Sequence, residues 1–299
     1  MQVDPFYVVN LSSALDQSQA TQQQLSQELS SGLRVTSIGT DPVAAAENVQ
    51  LLNSIQQDDS FTQSSSVTQG LLQVTDSTLG SVVAQLNQAI SLATEADNGT
   101  LNASDENSIS TQIAGIRDEV MSLANTSYQG QYIFGGSQTG AAPFTLDSST
   151  SPATVTYNGD SDINSLVSPT GQSIQLNLPG NQVFTSAAAN VLGTLNNLVA
   201  DYASGGVGNG VADTSALNSA LNYVSQQRVT IDNSLTQLND VSGVATEQAT
   251  QLTAVQTNLM QADIPSVSTQ LALVQSQQSA LISVIAALSQ GSLFDHLPS

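Results

Sequence analysis

The chain has 299 residues, with 24 acidic side chains set against three arginines (Arg34, Arg117 and Arg228), no lysine, no cysteine and a formal net charge of -21. That balance excludes a nucleic-acid binder, because phosphate contacts rely on lysine and arginine displacing counterions, and it opposes adsorption to an anionic membrane. Charged residues are only 9% of the chain and the other polar residues are mostly Ser, Thr, Gln and Asn, so much of the surface is expected to be buried against a partner.

The opening, MQVDPFYVVN, has neither the basic flank nor the apolar core of a cleavable signal. Val8, Leu11, Leu15, Ser18, Gln22, Leu25 and Leu29 then follow in heptad spacing, with two polar members on the stripe. The run breaks at Gly32, the first positive charge enters at Arg34, and a second helix is predicted from an N-cap at Asp41 with Pro42 at its first position. Its stripe continues through Val49 and Leu52 and then Val67, Leu71, Val74, Leu79, Val82, Leu86 and Ile90. After the turn DNGTLNASDENS, Ser104, Asp105 and Glu106 predict a new helix start whose acids suit the dipole, and Ile109, Ile113, Ile116, Val120 and Leu123 form its stripe. An antiparallel helical hairpin is the simplest arrangement of this pair.

From Gly135 the texture changes. ATVTYNG and SIQLNLPG alternate apolar and polar residues, which predicts a small β insert over 135–184. Helix signals resume near Thr185 and run to about Tyr202, where SGGVGNG makes a flexible break. The longest signal keeps one heptad register through Leu217, Leu221, Val224, Arg228, Ile231, Leu235, Leu238, Ser242, Ala245, Ala249, Leu252, Gln256 and Leu259. A helix over 214–262 would be on the order of 70 Å long. Pro265 then opens a fresh register of Val267, Leu271, Val274, Gln278, Leu281, Ile285 and Leu288. The most apolar stretch, ALISVIAAL, falls far short of the ~20 residues of a spanning helix.

These signals predict a mainly α fold: a long antiparallel helical rod with coiled-coil termini and a small inserted β domain. The expected segments are a terminal helix and linker over 1–40, the two halves of the rod over 41–134 and 185–262 with the insert between them at 135–184, and a closing helix over 263–299. Between Ile264 and Phe294 there is no charged residue, and between Pro5 and Gln27 only Asp16. An amphipathic helix in water normally carries charge on its outer face, whereas amides and hydroxyls are buried at modest cost. Both ends are therefore expected to pack inside an assembly, against each other and against other subunits.

Catalytic chemistry has little material. His296, with no cysteine or lysine anywhere, reads as a solvated tail residue. GGVGNG at 205–210 follows no strand and precedes no lysine, so it reads as a linker rather than a phosphate loop. Asp160, Asp162 and Asn164 resemble the start of a calcium loop, but Ser165 replaces the glycine and no closing glutamate follows, so turn-capping is expected. Tyr128, Tyr132 and Phe134 read as corner packing. Arg228 is either a snorkelling side chain or the partner of a carboxylate on a facing helix. No metal, no cofactor and no enzymatic activity are expected.

ELSSGLRVTSIGTDPVAA at 28–45 resembles the N-terminal signature of the flagellin superfamily, and Asp-Pro-Val-Ala-Ala at 41–45 is similar to the narrower family of hook-associated protein 3, the hook–filament junction proteins. ANTSYQGQYIFGGSQTGAAPF, YNGDSDI, IQLNLPGNQVF and the closing QLALVQSQQSALISVIAALSQGSLFDHL resemble the same family in the same order. The sequence departs from the family in keeping only one member of the acidic pair, Asp41, and in placing Pro265 where the chain enters its final helix. The resemblance implies an extracellular structural protein, exported through the flagellar type III apparatus with a chaperone. It further implies self-assembly as a ring, in contact with the hook-side junction protein and flagellin. Leu11, Leu15, Leu25, Leu29, Leu271, Val274, Leu281, Ile285 and Leu288 would form subunit interfaces, with Gly32, Arg34, Asp41, Pro42 and Pro265 at domain boundaries. Filament flagellin is the nearest alternative and a secreted coiled-coil adhesin or translocator a distant one. Whether Arg34 acts within one subunit or between two is open at this stage.

Overall fold

The computed structural model describes residues 5–97, 100–204 and 210–294, with side chains over 9–97, 100–204 and 211–287. His296 and most of the glycine-rich run at 205–210 lie outside this range. The long helices are α1 (Pro5–Ser31), α2 (Pro42–Ala96), α3 (Ala103–Ala124), α5 (Val191–Ala203), α6 (Gly210–Met260) and α7 (Ile264–Phe294), with one short helix, α4 (Gly180–Val183). Between α3 and α4 lie three antiparallel strand pairs: β1 (Ser127–Tyr128) with β2 (Gln131–Tyr132), β3 (Phe144–Asp147) with β4 (Thr154–Tyr157), and β5 (Ser165–Val167) with β6 (Ser173–Gln175). The class is mainly α, as the periodicities predict. The chain divides into two compact units: residues up to Gln57 with those from Gln248 onward, and Asp58–Glu247.

In the second unit, one core joins Leu72, Leu79, Val82 and Leu86 of α2 to Ile109, Ile113, Ile116 and Val120 of α3. Leu192, Leu195 and Leu198 of α5 and Leu217, Val224, Ile231 and Leu238 of α6 complete it. The inward face of α2 is a heptad through Asp58, Phe61, Ser65, Thr68, Leu72, Thr75, Leu79, Val82, Leu86, Ala89, Ala93 and Ala96. The apolar stripe expected at Val67, Leu71 and Val74 is displaced from it by one residue: Val67 is exposed, while Leu71 and Val74 are half-buried beside the seam. The seam accepts Thr68 and Thr75 because each hydroxyl donates to a carbonyl one turn earlier, on Ser64 and Leu71 at 2.9 Å, which leaves a methyl group to pack. An apolar-only reading of the sequence misses such positions.

Three helix starts differ from expectation for local reasons. Asn102, not Ser104, caps α3, its Oδ1 accepting from the amides of Ser104 and Asp105 at 2.8 and 3.1 Å. The helix expected from Thr185 begins at Val191, because Ser186 turns the chain by accepting from the Ala189 amide at 3.0 Å and Asn190 caps Gly193 at 2.9 Å. The helix expected from 214, α6, begins at Gly210.

The β1–β2 hairpin precedes the expected insert. Gln129 and Gly130, with φ of 52° and 80°, form the two-residue turn that suits the twist of a hairpin. Around the insert, Phe134 meets Phe184 edge-on at 5.1 Å, Phe184 meets Phe144 at 5.4 Å, and Phe144 lies 5.0 Å from Tyr157. Tyr157 closes the corner by donating to the carbonyls of Phe134 and Asp160 at 2.9 and 2.7 Å. Asp160 caps a turn, accepting from the amides of Ser137 at 2.8 Å and Asp162 at 3.1 Å. A Cβ on Gly180 would lie 2.6 Å from the Phe144 ring and 2.9 Å from the Phe134 carbonyl, so the backbone must approach closely here. Gly180→Ala is expected to destabilise the second unit by about 1–3 kcal/mol through overpacking, measured as a lower urea midpoint by tyrosine fluorescence.

Arg228 fulfils parts of both readings. It makes a two-point contact with Asp76, Nε to Oδ1 at 2.6 Å and Nη2 to Oδ2 at 3.1 Å, yet its side chain is 41% exposed. The pair stands at the edge of the α2–α6 seam, where solvent weakens it. Near one end of this unit, Asp97 accepts from Tyr202 Oη and Thr214 Oγ1, both at 3.0 Å. Burial, a hydrogen bond with Asp201 and the charges of Asp201 and Asp97 raise the Asp213 carboxyl to about 6. A raised carboxyl favours the folded state when protonated, so its contribution is complete below about pH 4 and is lost as pH rises through about 6. Asp213→Asn is therefore expected to flatten the fall in urea midpoint between pH 4 and 7, as followed by circular dichroism. An unchanged slope would contradict this assignment.

Candidate subunit interface

The first unit is built on α1 and α7. Leu33 and Gln261 form an antiparallel bridge, and Leu25, Ala262 and Val267 bury together with Leu271 and Val274 against them. Leu25 is buried, while Leu11, Leu15, Leu271, Val274, Leu281 and Ile285 are half-buried along the two helices. Leu29 is off the buried face at 38% exposed, and Glu28 occupies the inward position, accepting from Gln24 Nε2 at 3.0 Å. The side chain of Leu288 lies outside the described range.

Both helical runs break at the same place. Gly32, at φ 70°, ends α1 with its amide bonded to the Glu28 carbonyl at 2.9 Å, a left-handed cap that suits glycine. The Arg34 amide donates to the Met260 carbonyl at 2.7 Å, and the Ala262 amide donates back to the Gly32 carbonyl at 2.9 Å. Arg34 Nη2 reaches the Leu259 carbonyl at 3.1 Å, at the C-terminal end of α6 where a cation complements the helix dipole. Its Nη1 pairs with Asp41 at 3.0 Å. Asp41 also caps α2, its Oδ1 accepting from the Ala44 amide at 3.0 Å. This bond, followed by the pair with Arg34, holds its carboxyl below the usual range. Arg34 thus acts within one chain.

Pro42 is the first residue of α2 and Pro265 the second residue of α7. The break itself lies at Gln261–Asp263, ahead of Pro265. There Asp263 accepts from the Val267 amide through its carbonyl at 2.9 Å and from the Ser266 amide through Oδ1 at 3.3 Å. The sequence reading missed this acidic cap, although Asp followed by Ile-Pro-Ser is the signal that would reveal it.

The outer faces of α1 and α7 are chemically quiet. Ser13, Thr21, Ser26 and Ser31 of α1, and Thr269 and Ser279 of α7, donate their hydroxyls to carbonyls one turn back, at 2.8–3.0 Å. Such donors are already satisfied and can be covered without leaving orphaned groups. Val9, Leu273, Ile282 and Val284 are exposed among them. No described helix is long and apolar enough to cross a membrane.

Comparison with known proteins agrees with this architecture. Residues 7–139 match the bacterial flagellin N-terminal helical region. Flagellar hook-associated protein 3 of Salmonella typhimurium is 28% identical over 302 aligned residues, covering 94% of this chain and 95% of that protein. The Escherichia coli protein of the same name is 26% identical, covering 82% and 83%. A solved flagellar hook-associated protein from Vibrio parahaemolyticus shares the fold at a TM-score of 0.64, with 20% identity over 74% of this chain and all of that one. The chain is thus similar, over residues 7–139, to the N-terminal region of bacterial flagellins, and over most of its length to proteins named for the flagellar hook. The two relatives that match along most of its length both carry the name hook-associated protein 3.

Gly32→Ala is expected to destabilise the first unit by about 1 kcal/mol, because only the left-handed backbone is strained and no atom obstructs the added methyl. Gly32→Asn should cost less. Urea denaturation followed by proteolytic release of the termini measures both.

Proposed function

We propose that this protein forms the junction between the flagellar hook and its filament, assembling as a ring through its terminal helices and contacting the hook-side junction protein and flagellin. Support comes from similarity to hook-associated protein 3 across nearly the whole chain, with a charge-free α7 that exposes Leu273, Ile282 and Val284. Helices with satisfied outer hydroxyls and no charges gain by being covered, whereas they solvate poorly alone. Leu11, Leu15, Leu25, Leu29, Leu271, Val274, Leu281, Ile285 and Leu288 carry this assembly, with the linker from Gly32 through Arg34 to Asp41 and Pro42 setting where it stops. Delivery to the cell exterior is by the flagellar type III export route, aided by a chaperone.

Deleting the gene tests the role. Cells with hooks, no filaments and soluble flagellin in the medium are the expected outcome, and normal filaments would remove the proposal. Filaments absent with no flagellin made would favour a role as filament subunit. Leu281→Asp or Ile285→Asp should abolish motility while the second unit keeps its urea midpoint. Full motility would contradict the assignment of α7.

A further inference from the structure

Asp58 is the most deeply buried carboxylate among the described residues, 1% exposed on the inward face of α2, and its Oδ2 has no hydrogen-bond partner. The contacts Asp76–Arg228 and Asp97–Thr214 show that α2 and α6 run antiparallel in this unit. Following that direction from Asp76 and Arg228 sets Asp58 opposite the Ala245 level of α6, where Phe61 and Ala245 share the core.

A buried carboxylate normally has a cation beside it. Here the described residues supply none. The chain has no lysine, and its arginines are engaged elsewhere, Arg34 with Asp41, Arg117 with Asp118 and Arg228 with Asp76. The charged residues nearest to Asp58 are also acidic: Asp59 on its own helix, and Asp240 and Glu247 on α6, all exposed. An ionised Asp58 would be a desolvated charge without a partner for Oδ2, whereas the neutral acid can remain in the seam.

We propose that Asp58 is a proton-operated latch in the α2–α6 seam: uncharged, it seats in the heptad, and on losing its proton it loosens the packing around Phe61 and Ala245. Burial is the main cause that raises this carboxyl, and the charge of Asp59 adds to it. The contribution to stability is therefore complete below the unfolded value, about pH 4, and is lost as pH rises through the higher folded value. The latch gives an acidic chain a stability that increases as its medium is acidified, separately from the general relief of charge repulsion.

The test compares the full chain with Asp58→Asn and Asp59→Asn by urea denaturation from pH 4 to 8, read by tyrosine fluorescence. Both substitutions remove one charge, but only the first removes the latch. At pH 8, Asp58→Asn should lower the unfolding constant and reduce the pH slope. Asp59→Asn should reduce the slope less, because it removes only the smaller, charge-repulsion part of the effect. The same comparison in an Asp213→Asn background separates the Asp213 contribution. Equal effects of the two substitutions, or an unchanged slope in Asp58→Asn, would overturn the proposal. If Asp58→Asn does not fold, the carboxyl carbon of Asp58 in the wild-type chain gives the answer by nuclear magnetic resonance. A midpoint above the ordinary carboxylate range supports the latch, and an ordinary midpoint refutes it.

Discussion

The first unit depends on the paired main-chain bonds between the Gly32–Arg34 segment and the Met260–Ala262 segment. A helix end leaves carbonyls without partners, and here those at the end of α6 are answered by the amide and guanidinium of Arg34. The same arginine bonds the carboxylate that caps α2. One residue thus ties together the end of α1, the start of α2 and the end of α6. On the terminal side of this clasp the helices are nearly free of charge, and beyond it acidic residues return.

Hydroxyl groups settle much of the remaining chemistry. Along α1, α2 and α7, Ser18, Ser65 and Gln278 each keep a buried polar atom without a partner, whereas many serines and threonines fold back onto carbonyls of their own helix. This permits threonine in the α2 heptad and makes the outer faces of the terminal helices suited to burial in an assembly.

Much of this was legible from residue spacing. The register of α6 from Leu217 to Ala245, the α3 stripe, the break at Gly32 and the restart at Asp41 follow directly from periodicity and caps. The position of the α2 seam did not, because Asp58, Ser65, Thr68 and Thr75 occupy it while Val67 faces outward. Leu29 lies off the intrachain buried face for a related reason: that face of α1 turns to Glu28 as the chain approaches the clasp. The hairpin at 127–132 was hidden because its turn needs a positive φ at Gln129, a residue with no turn signature. The dual role of Arg34 depends on a carbonyl more than two hundred residues away, which spacing cannot reveal.

The clasp is most directly tested by amide hydrogen exchange on the full chain. The Arg34 and Ala262 amides donate across it, whereas Ser37 to Ile38 lie in the exposed loop beyond it. The account predicts that Arg34 and Ala262 exchange orders of magnitude more slowly than the Ile38 amide, and that Arg34→Ala leaves this protection largely in place because the bonds are main-chain. Exchange of both amides at the rate of the exposed loop would contradict it.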